Sequence, residues 1–179
     1  MKRAIKQLLL LIMAKLPQNK NKGYFLIELM VSISILTIGF LGFLTLVSRS
    51  ISTNRIISDY LTANYLAAEG IELIKNTIDT NYLRNDPWNQ GLASDGDYEM
   101  DYDDSVPVNV TGSSAKFLNY KNGFYNYDIS GSQSPFKRTI AISNISASQI
   151  KVKSRVYWIS RGGGTMDIYL EDYFFNWKE

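Results

Sequence analysis

The sequence predicts an α+β fold, one long N-terminal helix packed on a C-terminal antiparallel β-sheet. Three observations predict it. Leu29 to Ser48 is an uncharged apolar run, and no proline occurs between Pro17 and Pro87. Beyond that run, apolar residues recur at three- and four-residue steps, which is helical spacing. After Asp97 the spacing changes to strict alternation, the strand period, and most of the 12 Tyr and 8 Phe lie in that second half. These features divide the chain into a basic leader (1–23), a hydrophobic half-helix (24–51), an amphipathic half-helix (52–79) and a loop and sheet region (80–179).

Charge is distributed unevenly. Six of the 19 basic residues fall in 1–23, with no acid, leaving 13 basic against 17 acidic residues, a formal −4 for residues 24–179. Such a body lacks the polybasic run that general nucleic-acid binding needs. The chain has no Cys and no His. Disulfides, Cys/His metal sites and His-based acid–base chemistry are therefore excluded, and the fold must rest on core packing.

The leader begins "MKRAIKQLLLLIMAKL". Its apolar run, Leu8 to Ala14, is too short to span a bilayer, and Lys15-Leu16-Pro17 is no small-x-small cleavage site. It reads as a cytoplasmic leader starting at Met1 or, more compactly, at Met13. Leu29–Ser48 then supplies 20 uncharged residues, a helix of about 30 Å, one hydrocarbon thickness. Basic residues precede this span, so the positive-inside rule keeps the N-terminus in the cytoplasm and places everything after about Ser50 outside.

Glu28 stands out within "YFLIELMV". An ionised carboxylate at a bilayer centre costs roughly 2.5–3.5 kcal/mol on insertion scales. Snorkelling to the interface would relieve it. The context offers a second explanation: a basic leader ends in Gly23, the apolar helix begins at once, and its fifth residue is its only acid. "GYFLIE", Gly23 to Glu28, resembles the class III signal of type IV pilins and pseudopilins, a match over about 25 residues. The resemblance implies the pilin fold, cleavage by a prepilin peptidase between Gly23 and Tyr24, and N-methylation of Tyr24. It implies that Glu28 meets the Tyr24 amine of a neighbouring subunit, or of its own chain. An unpaired buried charge costs typically about 3–5 kcal/mol, so such a pair would set axial register. Tyr24-Phe25 departs from the commoner Phe-Thr, and Thr45 lies where many pilins carry a proline, so no proline-dependent melted segment is expected.

In the second half-helix, Ile57, Leu61, Ala68, Ile71, Ile74 and Ile78 form the stripe expected to pack on the sheet, and Glu72 can pair with Lys75. "ANYLAAEGIELIKNTIDTNY" (63–82) and the ending "YLEDYFFNW" resemble PilV-like minor pilins. Residues 80–97 read as a loop. Asp97–Asp103 reads as a strand with Tyr98, Met100 and Tyr102 opposite Asp97, Glu99, Asp101 and Asp103. Its acidic face is read as a solvated edge rather than a calcium site, because the EF-hand spacing is absent; no cofactor or metal is expected. Asn122-Gly123 is a hairpin turn. Strands follow at 136–143, 149–160 and 165–175, with "RGGG" (161–164) turning between the last two. Ile150, Val152, Ser154, Val156 and Trp158 should be buried, opposite Lys151, Lys153, Arg155 and Tyr157.

Three functions follow for comparison. The first is a minor pilin or pseudopilin of a pilus, secretion or DNA-uptake filament. Its partners are prepilin peptidase, other pilin subunits, the inner-membrane assembly platform and membrane lipid. It is placed in the cytoplasmic membrane, then in an extracytoplasmic filament. The second is an anchored enzyme, disfavoured because Ser154 beside Lys153 forms no S-x-x-K and no G-x-S-x-G occurs. The third is a DNA-binding or adhesive pilin using Lys137, Arg138, Lys151, Lys153 and Arg155 as a basic stripe. A solvated strand face is the weightier reading of those residues.

Overall fold

The computed structural model describes residues 22–112, 114–160 and 162–177. Residues 1–21 of the leader, with the alternative start at Met13, lie outside the described residues. The chain separates into two compact units, 1–52 and 53–179. One helix, α1 (Lys22–Arg84), begins in the first and ends in the second. It runs five residues past the expected end at 79. Asn85, at φ 58°, stops it in the left-handed conformation asparagine tolerates.

In the first unit α1 is apolar and uncovered. It is long and apolar enough to cross a membrane, and none of its most apolar stretch is buried. Three hydroxyls there are satisfied within the helix. Ser34 Oγ donates to Met30 O (2.7 Å), Thr37 Oγ1 to Ile33 O (2.7 Å) and Thr45 Oγ1 to Leu41 O (2.9 Å). Closing these three hydroxyls on the preceding turn spares them an unmet donor in an apolar medium.

Among the described residues the second unit holds seven antiparallel strands. They are β1 (Gly96–Glu99), β2 (Val108–Asn109), β3 (Phe117–Lys121), β4 (Phe124–Asn126), β5 (Ser132–Ser146), β6 (Gln149–Ile159) and β7 (Thr165–Phe175). The long β5 organises the sheet. One edge pairs with β6 from Phe136↔Trp158 onward. The other edge is shared in tandem by β3, at Ser132–Lys137, and β1, at Ile140–Ile142. β2 extends β1, β4 extends β3, and β7 pairs with β6 without interruption over Gln149–Ile159. Asn122 and Gly123 both take positive φ (53° and 92°), the geometry of a tight primed hairpin turn between β3 and β4. Of the expected 161–164 turn, Gly162–Gly164 are described, and Ser160 N donates to Gly164 O (2.8 Å).

The β6 alternation appears as read: Ile150, Val152, Ser154, Val156 and Trp158 are buried. The helix stripe is rotated from the expected one. Ala63, Leu66, Ala67, Gly70, Leu73, Ile74, Thr77 and Ile78 face the sheet, whereas Ile57 and Leu61 are exposed. The reason is steric. Ala63, Ala67 and Gly70 let the helix approach closely, and a Cβ built on Gly70 would lie 2.2 Å from Ser154 Oγ. Ile57 and Leu61 lie on a different helix face from this small-residue seam. Two apolar clusters result. Leu73, Ile74 and Ile78 meet Trp88, Leu92, Tyr98, Ile140, Ile142, Ile150 and Val152; Ala63, Leu66 and Ala67 meet Leu118, Phe136, Val156 and Trp158. The Lys75–Glu72 pair forms at 3.5 Å on the exposed face.

The acidic strand is shorter than its alternation suggested. β1 ends at Glu99, and Asp101–Asp104 closes a turn through Asp104 N to Asp101 O (3.2 Å). Glu99 is buried rather than solvated; it accepts the Lys116 amide (2.6 Å) and faces Lys116 Nζ at 3.6 Å. A buried carboxylate met by an amide and an ammonium is tolerable where an unmet one is not.

Candidate assembly site

The residues singled out in the sequence, Gly23, Tyr24 and Glu28, occupy the first two turns of α1. Helix geometry puts Tyr24 and Glu28 on one face, about 6 Å apart along the axis. Tyr24 is 79% exposed, and Glu28 is exposed. A Cβ on Gly23 would meet nothing within 4 Å. The Gly23–Tyr24 peptide therefore lies in the first helical turn with open space at Gly23. Among the described residues Glu28 forms no ion pair, and it is the only acid among residues 22–48. From Tyr24 to Val47 the large apolar side chains are all exposed, from 39% at Val47 to 79% at Tyr24. That exceeds the apolar patch a monomer leaves to water, and marks a surface that lipid or protein covers.

In the second unit, sequence reasoning missed the most constrained polar group. Arg138 on β5 is fully buried. Its Nη1 donates to Leu66 O (3.2 Å) and sits 3.2 Å from Glu69 Oε2, and its Nη2 donates to Met100 O (2.8 Å). Met100 has just left β1, so its carbonyl lies beyond the ladder and Arg138 supplies the missing donor. One guanidinium thus ties α1 to the β1 end, beside Gly70 and Ser154. The phenol of Tyr127 donates to Arg138 O (3.3 Å), and burial pushes it well above the ordinary tyrosine range. The sequence carried a usable signal, because Arg138 is in phase with Phe136, Ile140 and Ile142. Adjacent residues of a strand point to opposite faces, so Arg138 could not share a stripe with Lys137.

That geometry corrects the basic stripe. Arg138 is on the inner face, and the outer-face cations are matched. Lys151 pairs with Glu171 (3.0 Å), Arg155 with Asp167 (2.9 Å), Lys153 lies 3.9 Å from the Tyr169 ring centre, and Lys137 lies 4.2 Å from that of Phe117. The Glu171 carboxylate holds the Lys151 ammonium above its ordinary pKa, and the ammonium holds Glu171 below the usual carboxylate value.

The acidic turn bounds a shallow cleft of about 310 Å³ with Asp101, Tyr102, Asp103, Lys121, Phe124 and Asp128. Its carboxylates are used locally: Asp101 accepts the Tyr127 amide (3.0 Å), and Asp128 accepts both Ser130 donors (2.9 Å each) and pairs with Lys121. Among the described residues no cluster of three or more acids could hold a metal ion. No family model, curated protein or solved structure matches this chain.

Proposed function

We propose that this chain is a structural subunit, a minor pilin or pseudopilin, of a type IV pilus-like filament. A prepilin peptidase cuts between Gly23 and Tyr24 and methylates the Tyr24 amine. The subunit waits in the cytoplasmic membrane with its N-terminus inside and its sheet outside. The assembly platform then packs its helix among those of other pilin subunits. The chain performs no reaction of its own.

One observation carries the reading: an uncovered apolar helix has a single acid, Glu28, one turn from Tyr24, the residue that begins the mature chain. Cleavage creates an α-ammonium at that helix end. Leaving either charge alone in an apolar packing costs about 3–5 kcal/mol, so neighbouring helices favour the axial register that brings carboxylate and amine together. Lipid covers the same side chains before assembly and other helices cover them afterwards.

Glu28→Ala tests this. The variant should be processed and membrane-bound but fall at least tenfold in sheared filaments, measured by immunoblot. An uncharged apolar residue there costs nothing in lipid, so unchanged filament incorporation refutes the role. Mass spectrometry of the mature protein should find an N-methylated Tyr24 terminus. A chain beginning at Met1 or Met13, in a host with active prepilin peptidase, rejects the processing step.

A further inference from the structure

The Asp101–Asp104 turn and the β3–β4 hairpin bound the cleft of about 310 Å³. Phe124 and Asn126 stand two apart on β4, so their side chains point to one face, and both line the cleft. The Phe124 ring stacks on that of Tyr102, with centroids 5.4 Å apart and planes at 29°. The pair nevertheless lies largely in the open: Tyr102 is 52% and Phe124 59% exposed. Asn126 is the reverse, only 7% exposed. Its Oδ1 accepts the Asp128 amide (3.1 Å), and among the described residues its Nδ2 donates to nothing. Unlike Arg138 Nε and Ser154 Oγ, that Nδ2 is not sealed from solvent, so its opening is the cleft its residue lines. A donor left unmet in so buried a side chain is costly. Asp103 adds an exposed carboxylate with no partner among the described residues.

We propose that this cleft binds the pyranose ring of an uncharged glycan. What the fold leaves open there is one donor, Asn126 Nδ2, one acceptor, Asp103, and a flat apolar surface. A hydroxyl donates and accepts at once. Hydroxyls of a single sugar ring can therefore accept from Asn126 and donate to Asp103 while the ring's C–H face lies on Phe124 and Tyr102. An organic cation would suit the carboxylate and the rings, but it brings no acceptor to Asn126. An anion meets three carboxylates, Asp101, Asp103 and Asp128, against the single ammonium of Lys121, and is repelled. The volume sits at the lower end of small-molecule sites, roughly 300 Å³, the scale of a small saccharide. The walls are also fixed in advance. Asp101 accepts the Tyr102 amide at Oδ1 (2.9 Å) and the Tyr127 amide at Oδ2 (3.0 Å), which ties the turn to the end of β4. Lys121 pairs with Asp128 and donates to Ser130 Oγ (2.7 Å). A site held in shape this way loses little entropy when it binds.

The inference concerns the second unit alone, so it survives or fails separately from the role of Glu28. The full-length protein in lipid nanodiscs, free of sugar-headed detergent, is mixed with the methyl glycosides of glucose, galactose, mannose and N-acetylglucosamine. Saturation-transfer NMR should show binding of at least one, strongest at the ring C–H protons of one face. Phe124→Ala removes half of the aromatic surface and Asp103→Ala the acceptor, both at exposed positions. Each should cut the signal several-fold while buried-tryptophan fluorescence stays native. Tyr169→Ala, which removes an exposed ring on β7, should leave the signal unchanged. No transfer to any of these glycosides, or an undiminished signal in Phe124→Ala, would overturn the proposal. So would tighter binding of tetramethylammonium, or of N-acetylneuraminic acid, than of every neutral glycoside.

Discussion

Glu69→Gln probes the clamp between helix and sheet. Arg138 has no exposure, and among the described residues its Nε lacks a partner and Glu69 Oε2 at 3.2 Å is its only counter-charge. At an effective dielectric of about 20, that separation corresponds to roughly 5 kcal/mol of attraction. Glu69 is 34% exposed, so water screens part of this and rehydrates the carboxylate when the pair breaks; about 2–3 kcal/mol should remain. Gln keeps the shape and a carbonyl acceptor, so the loss reports charge rather than packing. The cost arises because Arg138 stays buried and charged without an anion. Replacing both partners, Glu69→Gln with Arg138→Met, removes the orphaned charge but leaves Leu66 O and Met100 O without that donor. The double variant should therefore lose less stability than the sum of the losses of the Glu69→Gln and Arg138→Met single variants. Urea unfolding of the full chain in detergent, followed by the fluorescence of buried Trp158 and Trp88, measures all three. A loss below about 0.5 kcal/mol for Glu69→Gln would refute the reasoning, since that is what an exposed pair delivers.

Gly70→Ala should gain about 1 kcal/mol of helix propensity yet lose more to overpacking, typically about 1–3 kcal/mol, because its Cβ would fall 2.2 Å from the buried Ser154 hydroxyl. The same unfolding assay should show net destabilisation of about 1–2 kcal/mol, largely recovered by adding Ser154→Gly; a more stable Gly70→Ala would contradict the close approach. Asp128 is held down to about 2, first by Lys121 and then by the Ser130 amide and hydroxyl. Its folded value lies below the ordinary one, so its contribution to stability is complete above pH 4 and lost as pH falls toward 2. Carboxyl-carbon NMR should place its midpoint near 2, and Lys121→Met should raise it toward the usual range; a midpoint near 4 in the native chain would remove the pair.

How much was legible follows from the range of each signal. Period-two alternation in "QIKVKSRVYW" (149–158) reflects strand geometry alone, so the buried and wet faces of β6 could be read residue by residue. Alternation misled at Asp97–Asp103, because a strand continues only while a neighbour pairs with it. β5 offers β1 partners at Ile140–Ile142 and then turns the same edge over to β3. The spacing of the three residues of the proposed assembly site, Gly23, Tyr24 and Glu28, could be read in the chain for a similar reason: one helix carries all three.

The sequence by itself determined an apolar helix with a single acid near its start, and strands with one greasy face, because each depends on residues a few positions apart. The tertiary structure decided which stripe of the helix meets the sheet, since small residues at Ala63, Ala67 and Gly70 matter only against a particular opposing strand. It also decided that Arg138 spans helix, loop and sheet, and that among the described residues β7 pairs with β6 alone. Those outcomes join residues tens of positions apart, and no local period encodes them.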